Sequence, residues 1–517
     1  MTSRITPRRG RDRKAEVLYP APGRARFTGG APRVAVIGGG IAGLAAATGL
    51  AERGTHVTLY EREPTLGGRL AGWPVELADG SRATMSRGFH AFFRQYYNLR
   101  GLLRRADSGL GMLTPVPDYP LQHSAGLRDS FAKVPRTPPW SAIGFAALSP
   151  TFRPRDLARM DPLAALPLLD VRVPEVYEQL DSISAHDFLA GIRFPEAAHH
   201  LAFEVFSRSF FADPRALSAA ELVLMFHIYF LGSSEGLLFD VPNEPFPQAL
   251  WKPLADYLEG HGVRLCTAMP VETVTPHASG GQLVTAGGRT EHFDATVLAL
   301  DTSGLCGLVA ASPQLADAPW RDRISLLRTA PPFLVSRLWL DRPVDPKRAG
   351  FLGTSGYASL DNVSVLERWE GEAARWAARS GGSVVELHAY AVEPDADRAS
   401  EQDRLLDQLH SVYPETGDAK IVDTRHEWRA DCPLFPVGAY GSRPGVRTPD
   451  RTLVLAGDLV RTDLPVALME RAATSGFLAA NVLLEQWGVR GQVLWTVPRS
   501  GRSRTMRLLA ALATDRR

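Results

Sequence analysis

Cysteine is scarce. Cys266, Cys306 and Cys432 are the only three in 517 residues, they are far apart, and no Cys-x-x-Cys or metal-ligand spacing joins them. That excludes a disulfide framework, fits a reducing cytoplasm and predicts no metal site. Lysine is nearly missing from the basic class, with 5 of 58, so positive charge here means arginine and an isolated arginine is a weak signal. The net charge of +2 excludes a general electrostatic partner such as nucleic acid. Long hydrophobic runs are also lacking. The uncharged stretch 34–51 has 18 residues but five are glycine, which predicts a turn and not a membrane span. Arg8-Arg9 is followed by basic and Pro-containing sequence without the apolar segment of an export signal, so neither a cleaved leader nor a transmembrane helix is expected.

What is present begins at residue 34. An apolar strand, Val34 to Ile37, runs into Gly38-x-Gly40-x-x-Gly43, and a helix from Leu44 to Ala51 follows at once. Gly38 suits a tight turn, Gly40 lets the backbone approach a pyrophosphate, and Gly43 lets the helix lie close on the sheet. The ligand's negative charge then meets the helix N-terminus. Glu61 ends a second strand 18 residues beyond Gly43, where a carboxylate can accept hydrogen bonds from a ribose. Together these predict a dinucleotide site.

The length and the 45% hydrophobic composition predict a globular α/β protein of two interleaved parts. Residues 1–33 carry nine Arg/Lys against Asp12 and Glu16, with Pro and Gly throughout, and are expected to form a mobile basic arm. Nucleotide-binding texture occupies 34–110, 250–302 and 446–488. Strands are expected at Val263–Leu265, Val271–Val274 and Phe293–Leu300, then Thr452–Leu455 ending in Gly457-Asp458, with a helix from about Pro465 to Leu484. Segments 111–249 and 303–445 lack that rhythm and are assigned to a mixed α+β substrate domain. Residues 489–517 form a basic amphipathic tail. Ser218-Ala-Ala-Glu221 reads as a capping box opening a helix to Leu231 that is apolar on every face, either wholly buried or lining an apolar cavity. His227 within it is expected to be a satisfied core residue.

Gly67-Gly68-Arg69, directly after the acid, resembles the second phosphate-contacting turn of the FAD-binding amine oxidase and carotenoid desaturase superfamily. A guanidinium forks two donors toward phosphate oxygens, which suits Arg69 to a pyrophosphate. Gly88-Phe-His90-Ala-Phe-Phe93 with Tyr97-Asn98-Leu99, the C-terminal Ala456-Gly-Asp458, and Glu470-Arg-Ala-Ala-Thr-Ser475-Gly476 resemble segments of plant and cyanobacterial phytoene and ζ-carotene desaturases. Ser207-Arg-Ser-Phe-Phe with Asp213 and Leu217-Ser218 follows them more loosely. Phe89 to Asn98 with Met469-Glu-Arg471 is most similar to the isorenieratene synthase group, β-carotene desaturase/methyltransferases that turn a β-ionone ring into a trimethylbenzene ring. Arg471 departs from the family, where Gly is usual.

The resemblance implies an FAD-binding Rossmann-like domain, discontinuous in sequence and interleaved with the substrate domain. It implies that Gly38, Gly40, Gly43, Glu61, Gly68, Arg69, Asp458, Met469 and Ala472 hold FAD, that Val274 supplies main-chain contacts to the adenine, and that the helix near Pro465 aims its positive end at the flavin. It also implies a carotenoid substrate in the bilayer and a quinone or oxygen as electron acceptor. Aromatising a β-ring requires loss of hydrogens and a 1,2-methyl shift, with a ring cation and His90 as candidate base. Phe89, Phe92, Phe93, Tyr96 and Tyr97 are candidates to stabilise that cation, whereas Arg94 and Arg471 would oppose it in a dry cavity unless both point elsewhere. The arm, with Arg4, Arg8, Arg9, Arg11, Arg13 and Lys14, and the tail, with Arg499, Arg502, Arg504 and Arg507 around Met506, Leu508, Leu509 and Leu512, are expected to attach the protein peripherally to the cytoplasmic face of the membrane. The competing readings are a linear-carotene desaturase or isomerase, an amine oxidase for soluble substrates, and a non-catalytic flavin-holding assembly protein.

Overall fold

A computed structural model describes residues 10–161, 163–165, 168, 170–202, 210–503 and 507–508. Arg4, Arg8 and Arg9 of the arm, Ser207 to Ser209, and Arg504, Met506, Leu509 and Leu512 of the tail lie outside them.

The organising element is a five-stranded parallel sheet ordered Arg264–Cys266, His56–Tyr60, Arg33–Ile37, Ala295–Leu298 and Leu453–Leu455. In chain order this is 3-2-1-4-5, the doubly wound arrangement, with its switch point between the first and fourth strands. Alternation along Arg33–Ile37 explains the two layers. Val34 and Val36 pack under the helices Ile41–Ala51 and Leu468–Gln486, while Ala35 and Ile37 pack with Leu298, Leu305, Leu308 and Trp320 on the other face. The two helices sit so close that a Cβ on Gly476 would lie 2.2 Å from the carbonyl oxygen of Ala42.

Leu305, Leu308, Trp320 and Ile324 come from the helices Thr302–Ala310 and Ala318–Ser325. The boundary expected at residue 303 therefore falls after the second of these helices, because their apolar faces complete the sheet's core. A second, seven-stranded sheet is ordered Ile421–Arg429, Phe333–Leu340, Ser383–Ala389, Asn362–Val365, Phe351–Ser355, Leu121–His123 and Arg128–Asp129. It joins the two sequence segments assigned to the substrate domain.

The strand expected at Val271–Val274 is present, extends to Pro276 and opens a three-stranded antiparallel sheet with Gln282–Ala286 and Arg289–Phe293. Besides the boundary at residue 303, two further expectations are corrected. Ser218-Ala-Ala-Glu221 is not a capping box. The Ser218 side chain accepts from the Ala220 N–H, but Glu221 turns away to two arginines and the Ser218 N–H goes to the Phe435 carbonyl. The helix runs from Ala219 to Phe226 and widens into a π turn, His227–Leu231. His227 is buried there against the Pro498 carbonyl at 2.6 Å, a core residue as expected.

The third correction concerns the ends. Glu16–Leu18 pairs antiparallel with Leu494–Thr496, so the described parts of the arm and the tail close on one another. Asp12 is 2% exposed and accepts hydrogen bonds from the Arg502 guanidinium at 2.7 Å and from the Ser234 N–H at 2.9 Å. A carboxylate so desolvated requires its cation. No helix among the described residues is long and apolar enough to cross a membrane. Arg502→Leu is expected to lower unfolding free energy by about 3–5 kcal/mol, because it strands Asp12 inside the protein. Arg499→Leu breaks only the half-exposed pair with Glu16 and is expected to cost under about 1 kcal/mol. Denaturant unfolding of the two variants side by side checks the contrast.

Candidate active site

Every strand of the parallel sheet delivers its C-terminal end to one long cavity. Gly38 and Gly40 follow the first strand, Glu61 to Glu63 the second, Met269 to Val271 the third, Ala299 to Asp301 the fourth, and Gly457 and Asp458 the fifth. Gly38 has φ +111°, a conformation that side chains resist, and its N–H donates to the Tyr60 carbonyl. A Cβ on Gly43 would lie 1.8 Å from the Gly38 carbonyl oxygen, so Gly43 serves the packing of helix on turn and does not line the cavity. Gly40 differs. A Cβ there would meet nothing nearer than the Gly68 Cα at 3.8 Å, leaving open space where a pyrophosphate would approach.

The Gly67-Gly68 turn meets the first turn through backbone alone, the Gly67 N–H donating to the Gly39 carbonyl at 2.9 Å. Glu61 is fixed by two backbone donors, Gly39 N–H at 2.7 Å and Glu63 N–H at 2.9 Å, which leaves further lone pairs for a ribose. Arg69 reaches across to Asp458, Nη2 to Oδ1 at 2.5 Å, tying the second turn to the fifth strand beside the thiol of Cys432. Leu468, Met469 and Ala472, in the first turn of the helix Leu468–Gln486, also face the cavity. The helix starts three residues later than expected, and its positive end lies at the cavity wall.

Val274 does not line the cavity. It is fully buried in the small antiparallel sheet and spends its N–H on Ser312 Oγ at 3.0 Å. Val271, three residues earlier, lines the cavity.

Beyond the glycine turns the wall becomes aromatic. Phe89 stacks on Phe351 at 4.3 Å, Phe239 stands edge-on to both, and Phe93 lies 4.6 Å from Tyr229, whose hydroxyl meets that of Tyr96 at 2.7 Å. Tyr119, Phe211 and Phe333 complete this part of the wall. Phe92 and Tyr97, expected beside them, are buried outside it, Tyr97 donating to Glu235.

One side of the aromatic end is polar. Glu386 and His388 alternate on the buried strand Ser383–Ala389 and so share a face. Burial disfavours the Glu386 carboxylate, but Arg337 and His388 outweigh that and hold it at about 2. Its Oε2 accepts from Arg337 Nε and Nη2 at 2.9 and 2.7 Å; its Oε1 accepts from the Phe89 N–H at 2.7 Å and from His388 Nε2 at 2.9 Å. His388 Nδ1 lies 2.7 Å from the Tyr390 hydroxyl, which also accepts from Asn362 Nδ2 at 3.0 Å. His388, Tyr390 and Asn362 line the cavity. The sequence reading missed this cluster, although two polar residues at alternate positions of an otherwise apolar run, Ser383-Val-Val-Glu-Leu-His-Ala389, were a usable signal.

His90 lies on the adjoining wall, its Nδ1 2.9 Å from the Gly88 carbonyl. A carbonyl only accepts, so Nδ1 carries the hydrogen and Nε2 keeps a lone pair. Burial pushes the imidazole down to about 4, the Gly88 carbonyl opposing and His388 and Arg69 reinforcing that shift. Its titration is thus well below the near-neutral range that the sequence suggested. Arg94 and Arg471 are not part of the wall. Arg94 lies 3.6 Å from Asp240. Arg471 is 2% exposed, donates to Glu221 Oε2 at 2.8 Å and lies over the Phe435 ring.

Residues 41–484 match the model of the flavin containing amine oxidoreductases. The chain belongs to this family. It is 74% identical to a carotenoid phi-ring synthase of Streptomyces griseus, over 98% of both chains. It is 29% identical to a carotenoid phi-ring synthase of Chlorobaculum tepidum, over 91% of both. Among solved structures, cyclohexylamine oxidase from Brevibacterium oxydans superposes with a TM-score of 0.65 over 88% of this chain and 99% of that one, at 16% identity, which speaks for the fold alone. As a member of this oxidoreductase family the protein uses FAD, and the cradle fits it: open space at Gly40, Glu61 at the ribose position, and a helix N-terminus at Met469. Gly40→Val is expected to fold with the melting temperature of the flavin-free wild type and to purify without flavin absorbance. Gly43→Val, forced against Gly38, is expected to lose the fold itself. Thermal melts and visible spectra of the two variants distinguish a cofactor role from a packing role.

Proposed function

We propose that the protein is a carotenoid oxidoreductase that converts β-ring end groups into aromatic trimethylbenzene rings, the isorenieratene-forming reaction. The observation that carries this reading is a cavity that passes from a dinucleotide cradle into an aromatic cage with two preorganised proton acceptors. The phi-ring named for the relatives, read as that aromatic end group, supports it. A cyclohexene ring becomes an arene by gaining two double bonds, which removes two hydrides and two protons. When bound, FAD supplies the capacity to take one electron pair at a time from a hydrocarbon, which no side chain has, and a quinone or oxygen reoxidises it between the two hydride removals.

The chain's own residues do the rest. Phe89, Phe351, Phe239 and Phe93 hold the ring and present π faces to a ring cation while a geminal methyl group migrates. Arg94 and Arg471 are turned to Asp240 and Glu221, outside the wall, and Arg69 and Arg87, which do line the cavity, are each paired with a carboxylate, Asp458 and Asp431. Proton loss from a ring cation needs only a weak base, since the cation is a very strong acid. His90 Nε2, neutral above about pH 4, is one acceptor. Tyr390 is the other. Its oxygen takes the ring proton as its own proton passes to His388 Nδ1, and the ionised Glu386 offsets the positive charge that results.

Expression in a β-carotene-producing host, with product identification, tests the reaction. Aromatic end rings support it, whereas conversion of linear carotenes alone replaces it with the desaturase reading. Tyr390→Phe is expected to bind FAD and to lower kcat about 100-fold, with KM changed by less than roughly threefold. In a single anaerobic reduction its flavin should bleach at the wild-type rate, whereas in turnover with an electron acceptor present aromatic product lags. Because His90 is held neutral, wild-type turnover is expected to be level from pH 8 to about 5 and to fall only toward pH 4. An acid limb near 6.5 in the pH profile would contradict the burial of that imidazole.

A further inference from the structure

The helix Trp140–Leu148 contains no charged side chain, and its outward face is apolar. Trp140, Ile143 and Leu148 are 63%, 54% and 57% exposed. Trp140, Ile143 and Ala147 recur at helical spacing and form one exposed stripe, and Leu148 adds a further exposed apolar side chain at the helix's C-terminal end. A helix on a water-facing surface usually puts polar residues there. The inward face is ordinary: Ser141 is buried, its Oγ donating to the Phe230 carbonyl at 2.7 Å, and Phe145 stacks on Phe131 at 4.7 Å.

The stripe is flanked by cations. Lys133 and Arg136 precede the helix and Arg153, Arg155 and Arg159 follow it, all exposed, while the acids in the following segment, Asp156 and Asp161, are partly shielded. Inside, the helix is seated on the cavity wall: Phe145 packs on Phe230, and Tyr229, the neighbouring residue, lines the cavity.

We propose that this face docks on an anionic phospholipid bilayer, with Trp140, Ile143 and Leu148 entering the acyl boundary and the flanking arginines meeting headgroup phosphates. A hydrocarbon dissolved among acyl chains then has its shortest path into the cavity along the Phe145–Phe230 contact; this last step alone rests on the carotenoid reading. A second copy of the chain fits the face poorly, since its cations would oppose one another across a two-fold contact. The described ends of the chain offer no comparable surface, being clamped to each other through Asp12 and Arg502.

The test uses the full-length, FAD-loaded protein in flotation with vesicles of phosphatidylcholine alone or mixed equally with phosphatidylglycerol. The wild type is expected to float with the anionic vesicles. The variant Trp140→Ser/Ile143→Ser/Leu148→Ser is expected to lose at least tenfold in bound fraction while keeping its flavin spectrum and elution volume. Its turnover of carotene embedded in vesicles should fall in parallel, and its turnover in detergent micelles should stay within twofold. Wild-type binding by this variant overturns the proposal. So does binding that is lost only when residues 504–517 are removed, and so does a shift from dimer to monomer, which would make the face a self-contact. If the wild type oxidises no carotene even in micelles, the substrate reading fails, and flotation still decides the docking surface.

Discussion

Everything in this molecule depends on two turns that touch without side chains. The turn after the first strand and the turn at Gly67-Gly68 meet through a backbone hydrogen bond, and the free space at Gly40 is left over from that contact. Trp251 holds the second turn in place: a Cβ on Gly67 would lie 2.3 Å from its Nε1, which donates to the Leu70 carbonyl at 2.7 Å. With the turns so close, Arg69 spans to Asp458, and the five C-terminal strand ends become one surface. A doubly wound sheet provides the crevice, but side chains in these turns would fill it.

Charge is handled by a second constraint, pairing inside the protein. Glu221 sits between Arg471 and Arg443, and although burial disfavours its ionised form the two cations hold it at about 2. Removing either partner would leave an uncompensated charge, which is why such clusters persist once formed even where their net contribution to stability is small. The same cluster answers the difficulty raised by Arg471 in the sequence. Its guanidinium is turned away from the cavity by Glu221, a residue that reads locally as part of a capping box. A capping signature is satisfied by contacts three residues apart; the actual partner is 250 residues away.

That difference in range separates what the sequence reveals from what it hides. Glycine turns, strand ends and the acid at Glu61 are local features, and the strand-turn-helix with Gly38, Gly40 and Gly43 is legible from its spacing, although only Gly43 answers a contact within a few residues; a Cβ on Gly38 would lie 2.3 Å from the Ala299 carbonyl oxygen. Val274 fails for a physical reason. A β-bulge between Val271 and Thr273 shifts the register, so a residue assigned by position in the strand ends up in the core with its N–H spent on Ser312. The ends fail for another: a composition that cannot build its own core still docks on a core built elsewhere, as Asp12 and Glu16–Leu18 do. The Gly88-Phe-His90 motif was legible as a motif but not in its cause. A Cβ on Gly88 would lie 2.5 Å from His388 Cε1, so the glycine there makes room for a polar wall 300 residues downstream.

A hydrocarbon ligand, as proposed for this cavity, sets a strict condition on any polar group in its wall. The ligand returns no hydrogen bond, so each donor or acceptor must be satisfied by the protein or be left dry at a cost of about 1–3 kcal/mol. Most of the polar wall meets that condition in a row: Asn362 to Tyr390, Tyr390 to His388, His388 to Glu386, Glu386 to Arg337, and Arg337 on to the Thr84 carbonyl at 2.7 Å. Asn362 Oδ1 is left without a partner, and His90 is satisfied only at Nδ1, through the Gly88 carbonyl. Because the row ends in a buried ion pair, a proton entering at Tyr390 moves toward negative charge. A ring that offers only C–H bonds needs the acceptors arranged in advance.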